Sequence, residues 1–333
     1  MPEAEPKKIV YLFGAGATHA ELTSLEPTLI EEKEEKLGLL IKNVSARVIE
    51  KARRNEEYLR DVEMVSATSG SPNIELLISP IENSKIHGWE FKTQFLKNLV
   101  RNDIEAILTE SRTKHFYLHK ALFELHARGM VKRREQVIGL ISLNYDDVLD
   151  QAYKKYHRAP NYCFTLERDP PSSKHIPLLK PHGSFNWKEQ RIRGRTRTIE
   201  IIPLGSNKHY LHAPYSFIWN RALEILIECD TFRVIGCSLN QNDAHLIDLL
   251  FKAHLERPEA FDIEIIGPPR AGDQIRENYG FFQKIKTLLQ LEENLIPVAD
   301  PKNAFKTWLK YKSIAMLGED TIKATQYLKN VVR

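Results

Sequence analysis

Short apolar runs, each closed by glycine or a small polar cluster, dominate the pattern of this chain. Ile9 to Leu12 leads into Phe13-Gly14-Ala15-Gly16-Ala17-Thr18, and Val137 to Ile141 into Ser142-Leu143-Asn144-Tyr145-Asp146-Asp147. Ile176 to Leu179 leads into Lys180-Pro181-His182-Gly183-Ser184, and Phe232 to Ile235 into Gly236-Cys237-Ser238-Leu239. Runs of this length read as buried strands. From Val137 onward they alternate with helical periodicity: strand Val137 to Leu143, helix Asp146 to Tyr156, strand Ile176 to Lys180, strand Thr198 to Ile202, helix Tyr215 to Glu228, strand Phe232 to Ile235, helix Asp243 to His254 and strand Asp262 to Ile266. The alternation predicts an α/β fold, a Rossmann-like parallel sheet flanked by helices.

Between the first strand and Val137 the pattern is helical. Thr28 to Arg54 carries Glu and Lys at helical spacings, Ile74 to Ile81 is apolar with acidic punctuation, and Phe91 to Leu108 and Phe116 to Ala127 repeat apolar residues three and four apart. This predicts a helical subdomain, residues 25–130, inserted into a sheet domain of residues 1–24 and 131–300. Ser66 to Asn73 has the composition of a disordered hinge. Beyond the sheet the pattern predicts a helix near Ala271 to Leu289, a short strand Leu295 to Val298, and C-terminal helices within 301–333.

Composition narrows the class. The chain has 333 residues, 42% hydrophobic and 28% charged, which excludes a disordered chain and leaves room for a substantial core. No apolar run reaches membrane-spanning length, and the charged start at Met1 to Lys8 lacks the pattern of a signal peptide, so a cytoplasmic location is expected. A net charge of +4 is too small to imply a nucleic-acid partner by itself. Arg191, Arg193, Arg195 and Arg197 around Gly194 read as a solvated hairpin tip or as phosphate contacts, and Lys132-Arg133-Arg134 as a helix end.

The candidate chemistry lies at the strand ends. In open parallel sheets ligands bind outside the carboxyl ends of the strands. The four punctuations therefore bring glycines, an amide, an imidazole and hydroxyls to one crevice suited to a nucleotide. Gly14-x-Gly16 lets backbone approach a pyrophosphate at a helix start. The third glycine position holds His19, and no acidic residue ends a second strand about twenty residues on, so the dehydrogenase fingerprint is absent and a plain tight turn stays open. Asn144 serves either chemistry or as a helix N-cap. Asp146 and Asp147 suit a first helical turn, or magnesium, for which a third ligand is not evident. His182, between Pro181 and Gly183, is placed to act as a base. The pairs His115 with His119 and His209 with His212 have ligand-like spacing without a carboxylate companion, and Cys163, Cys229 and Cys237 supply neither a disulfide framework nor a four-cysteine zinc site.

Together these blocks resemble the sirtuin-like superfamily, and most closely its zinc-free branch of NAD-hydrolysing domains found in bacterial antiphage defence systems. Gly14-Ala15-Gly16-Ala17-Thr18 is similar to the family's phosphate loop, Ser142-Leu143-Asn144-Tyr145-Asp146 to its threonine-x-asparagine-tyrosine-aspartate segment, and His182-Gly183-Ser184 to its histidine-glycine-serine motif. Gly236-Cys237-Ser238-Leu239 with Asp243 resembles its glycine-tyrosine-serine-leucine block. Ile201-Ile202-Pro203, Lys208, Trp219, Ala222 and Asn73-Ile74-Glu75-Leu76-Leu77 also follow the branch. Ser142-Leu143 and Cys237 depart from the usual residues, and Gly267-Pro268 stands where an asparagine often contacts the adenosine ribose, so that contact is not expected.

The resemblance implies an NAD+ hydrolase that releases nicotinamide and ADP-ribose. It implies Asn144, His182 and Asp146 as catalytic residues, and Gly14, Ala15, Gly16, Ala17, Thr18, Gly183, Ser184, Gly236 and Ser238 as the NAD-binding set. NAD is then the substrate and zinc is not required. Gating is implied through a homo-oligomer or a partner defence protein such as an ATPase or an Argonaute-type protein, with direct nucleic-acid contact left open. The alternative reading is a non-catalytic NAD or ADP-ribose sensor, or a scaffold subunit of a nucleic-acid-associated complex.

Overall fold

The structure, a computed structural model, describes residues 5–25, 36–69, 74–84, 88–110, 117–127, 134–157, 159–165, 176–187, 190–192, 195–197, 211–239, 243–257, 262–267, 275, 285–287 and 303–317. Its centre is a six-stranded parallel sheet. β1 (Lys7–Phe13) lies between β2 (Glu135–Ser142) and β6 (Thr231–Ile235); β3 (Leu178–Leu179) flanks β2, and β7 (Asp262–Ile266) and β8 (Ile285–Thr287) continue beyond β6. The order β3-β2-β1-β6-β7-β8 reverses its direction of growth at β1. That reversal is the switch point at which open α/β sheets leave a crevice.

Alternation along β1 explains the layers. Val10 and Leu12 enter one core with α8 (Tyr215–Glu228) and α9 (Ala244–Glu256). Ile9, Tyr11 and Phe13 enter the other, with α1 (Ala15–Leu25), α6 (Tyr117–Ala127), α7 (Val148–Lys154) and α10 (Ala304–Leu317). Successive side chains of a strand point to opposite faces, so an all-apolar strand needs helices on both sides.

α2 (Ile41–Arg53), α3 (Glu56–Ser69), α4 (Ile74–Ser84) and α5 (Trp89–Glu110) build a separate core from Val48, Tyr58, Val62, Ile78 and Leu96. Asp103 on α5, nearly inaccessible, accepts from Arg47 and Lys51 of α2, both at 2.7 Å, and clamps the two helices. α6, read from sequence as part of the insert, packs instead against the sheet, with Phe123 edge-on to Tyr153 of α7.

Three local expectations change. Residues 66–69 belong to α3 and are not a hinge, while 70–73 lie outside the described residues. Ile285-Lys286-Thr287, read as helix, forms β8, because β7 has an open edge and the β-branched Ile285 and Thr287 favour a strand there. The helix read from Asp146 starts at Val148, since Asp146 and Asp147 are taken up in the turn before it. The antiparallel hairpin of β4 (Gln190–Ile192) and β5 (Arg195–Arg197) matches the expected arginine hairpin. The expected strands Thr198 to Ile202 and Leu295 to Val298 lie outside the described residues.

The C-terminal segment is integral to the sheet domain. Trp308 and Phe305 of α10 are buried beside Tyr11 and His119, and Asn303 donates to the carbonyl of Ala20 at 2.8 Å. Under α10, buried Arg233 of β6 makes two 2.7 Å bonds to Glu135, pairs with Glu264, and donates to the Tyr11 hydroxyl at 3.0 Å; Lys312 also reaches Glu135 at 2.7 Å. The two cations match the two carboxylates, as buried charges require.

This network predicts acid sensitivity. Burial and then Arg233 hold the His126 imidazole, 2.8 Å from the Tyr11 hydroxyl, down at about 3 from 6.5. A depressed group stabilises the fold fully above its unfolded pKa and loses that contribution as pH falls toward its folded pKa, here between 6.5 and about 3. Unfolding in urea is expected to show about 1–2 kcal/mol less stability at pH 5 than at pH 7 from this group. His126→Gln, which can still accept from Tyr11 but does not titrate, should flatten that slope; an unchanged slope removes His126 as its source.

Candidate active site

The turns that follow β1, β2, β3 and β6 lie at the carboxyl ends of the parallel strands, where open sheets of this kind bind ligands. After β1, the amides of Gly14 and Gly16 donate to the carbonyls of Ile235 (3.0 Å) and Gly236 (2.8 Å), and that of Ala17 to Gly14 (2.9 Å). Gly236 has φ +60°, and a Cβ there would lie 2.2 Å from the Ala17 nitrogen. A Cβ on Gly14 would lie 2.6 Å from Cys237 Cβ. The two glycine turns are thus in backbone contact, and the glycines are required for that approach. The amino end of α1 is held at the switch point.

Asn144 follows β2. Its Nδ2 donates to the Gly14 carbonyl at 2.9 Å and to Thr18 Oγ1 at 3.1 Å. Thr18 donates in turn to Asp146 Oδ2 at 3.0 Å, and Asp146 Oδ1 accepts from the Val148 amide at 3.0 Å. The N-cap alternative for Asn144 therefore falls: Asp147 holds that position on α7 and Asp146 satisfies the helix amide. The chain Asn144 to Thr18 to Asp146 fixes the amide plane and leaves its Oδ1 without a hydrogen-bond partner among the described residues. Burial pushes the Asp146 pKa up, with Lys180 opposing it.

His182 follows β3. The Gly183 amide closes a turn onto the Lys180 carbonyl at 2.9 Å, and Gly183 itself has φ +86°, a conformation that glycine adopts without strain. His182 Nε2 lies 3.0 Å from Asp243 Oδ2, at the start of α9. The imidazole faces Tyr145 at 6.3 Å and Trp219 of α8 at 6.4 Å between ring centroids.

Beneath both turns sits a wholly buried pair, Lys180 with Asp150 at 3.0 Å. Lys180 also donates to Ser184 Oγ (2.6 Å) and to the Asp146 carbonyl, and Ser184 donates to the Tyr145 carbonyl at 3.2 Å. Tyr162 and Asn186 complete the shell around Asp150. The pair ties the turn of Asn144 to the turn of His182. Tyr145 and Phe185 stack at 5.7 Å and insert into the core of α2 to α5.

The structure thus places Gly14, Ala15, Gly16, Ala17, Thr18, Asn144, Asp146, His182, Gly183, Ser184, Gly236 and Ser238 in the turns and the helix start that follow β1, β2, β3 and β6. Among these, Thr18 and Ser184 are buried and their hydroxyls are engaged with Asn144, Asp146, Lys180 and the Tyr145 carbonyl. The contacts of three residues escaped the sequence: Asp243, read as part of the Gly236 block and as a helix start without a partner, and Lys180 with Asp150, since nothing in sequence distinguishes a buried ion pair from solvated charges. The Cys237 thiol, pushed up to about 11 by burial, is no thiolate nucleophile at neutral pH.

Residues 139–264 match the family profile described as the SIR2-like domain. The matched span takes in the turns of Asn144, His182 and Gly236 and leaves out β1 and its glycine turn. No curated protein matches the chain. Among solved structures, one described under the mechanism and regulation of Sir2 enzymes aligns at 14% identity over 92% of this chain and 92% of that one, with a TM-score of 0.35. A mutant Sir2 homologue in complex with ADP-ribose aligns at 15% identity over 94% and 96%, with a TM-score of 0.35. A complex of a Sir2 homologue with NAD aligns at 14% identity over 92% and 91%, with a TM-score of 0.34.

Proposed function

We propose that this chain, whose residues 139–264 match the SIR2-like profile, binds NAD+ at these strand ends and hydrolyses the bond between nicotinamide and ribose, giving nicotinamide, ADP-ribose and a proton. The observation that supports this most is the fixed amide of Asn144 at the amino end of α1, whose neighbour Tyr145 faces an imidazole backed by a carboxylate. That helix end suits the pyrophosphate. Nicotinamide leaves as a neutral pyridine while positive charge grows on the ribose, so the reaction needs no strong acid. Asn144, its NH2 already committed to Gly14 and Thr18, offers Oδ1 to orient the water or a ribose hydroxyl. His182 takes the proton as the new C–O bond forms. Asp146 acts through Thr18 by holding the amide plane.

We further read the protein as an effector that depletes NAD+ in a bacterial antiphage defence system, gated by self-assembly or by a partner protein. The test is incubation with NAD+, with and without candidate partners, followed by mass spectrometry. Stoichiometric nicotinamide and ADP-ribose support hydrolysis. NAD+ binding without release of nicotinamide under every condition identifies a sensor instead.

Zinc has no role in this reading. Among the described residues no cluster of three or more His, Cys, Asp or Glu is disposed to hold a metal. EDTA is expected to leave melting temperature and turnover unchanged; stoichiometric zinc in the purified protein with unfolding on chelation would overturn that. Among the described residues no helix is long and apolar enough to cross a membrane.

A further inference from the structure

Asp243 uses its two carboxylate oxygens for different tasks. Oδ1 accepts from the Leu246 amide at 3.3 Å and caps α9. Oδ2 lies 3.0 Å from His182 Nε2, and the two side chains are 14% and 8% exposed. A helix cap needs one neutral acceptor, which Asn or Ser supplies as well as Asp. The second oxygen, placed on an imidazole that arrives from another strand, is not required by the helix.

We propose that Asp243 is the positioning residue for His182, setting its tautomer and its proton affinity. Neutral imidazole carries one N–H, and the acceptor it meets decides which nitrogen bears it. With Nε2–H donated to Asp243, the lone pair resides on Nδ1, which becomes the basic atom. When Nδ1 takes the proton released as water adds to the ribose, the imidazolium is stabilised by the adjacent carboxylate. The other titratable groups nearby are Tyr145 across the ring, His245 of α9 beside Trp219, Lys180 two residues back with its ammonium on Asp150, and Asp146 bonded to Thr18 and Val148. The inference rests on the reading of His182 as the base.

Asp243→Asn tests it, because asparagine keeps the cap and removes the charge. In the full chain, assembled in whatever form turns over NAD+, kcat is expected to fall about 10- to 100-fold with KM and melting temperature nearly unchanged. The acid limb of kcat/KM should move to lower pH, since the base loses the partner that raised its pKa. Independently of turnover, the NMR titration midpoint of the His182 imidazole, assigned by its absence in His182→Ala, should drop by about one unit or more. Asp243→Glu should recover part of both. Unchanged kcat and midpoint in folded Asp243→Asn, with His182→Ala inactive, overturns the positioning role and leaves the base intact. Full turnover by His182→Ala overturns the base reading itself. A fall in activity matched by an equal fall in folded fraction in Asp243→Asn, which keeps the cap, reduces the pair with His182 to a structural contact.

Discussion

Alanine at position 144 is expected to lower NAD+ cleavage about 100- to 1,000-fold per folded molecule, the range seen when one preorganised polar group is removed from a reaction centre. The variant loses both the Oδ1 acceptor and the two bonds from Nδ2 to Gly14 and Thr18. Each lost bond costs about 1 kcal/mol, so a modest drop in melting temperature accompanies the kinetic defect. Turnover must therefore be normalised to folded protein. Asn144→Asp sharpens the comparison, because it keeps the shape and replaces a donor with an acceptor facing the Gly14 carbonyl. Full activity in the folded alanine variant would take Asn144 out of the mechanism.

The second large effect is at position 182. His182→Ala is expected to lower turnover about 100-fold or more while NAD+ affinity by calorimetry is retained, because the general base goes and the glycine turns of β1 and β6 are untouched. Loss of the imidazole exposes Asp243 to solvent, but its bond to Leu246 remains, so α9 keeps its cap. A histidine that served only as a core hydrogen-bond partner would behave oppositely, with weakened folding and intact turnover per folded molecule.

Much of this site could be read from the chain because strand ends are marked twice, by the apolar run that stops and by the polar group that follows. That logic located Asn144, His182 and both glycine turns, and the switch at β1 then explains why they meet. It could not show that Thr18 links Asn144 to Asp146, because a hydroxyl in a glycine loop looks the same whether it faces phosphate or the protein. Nor could it pair His182 with Asp243, because a carboxylate at a helix start does not announce which distant side chain it meets. Lys180 was hidden for a different reason: a charged residue is read as exposed, and only three-dimensional charge balance with Asp150 makes its burial tolerable. β8 was missed because an edge strand is chosen by the vacant edge of β7 more than by its own short sequence.

The position of β1 in the sheet has a consequence for biogenesis. It is made first, yet Lys7 pairs with Glu135, Ile9 pairs with Thr231, and the helix covering Tyr11 begins only at Ala304. Contacts of such long sequence separation form late and slowly. The Gly14 turn cannot take its shape before Gly236 exists to meet it, and His182 has no carboxylate before Asp243 has been added. A growing chain therefore carries the pieces of the site without the site, and the order of synthesis withholds the contacts between its turns until nearly the whole sheet has been made.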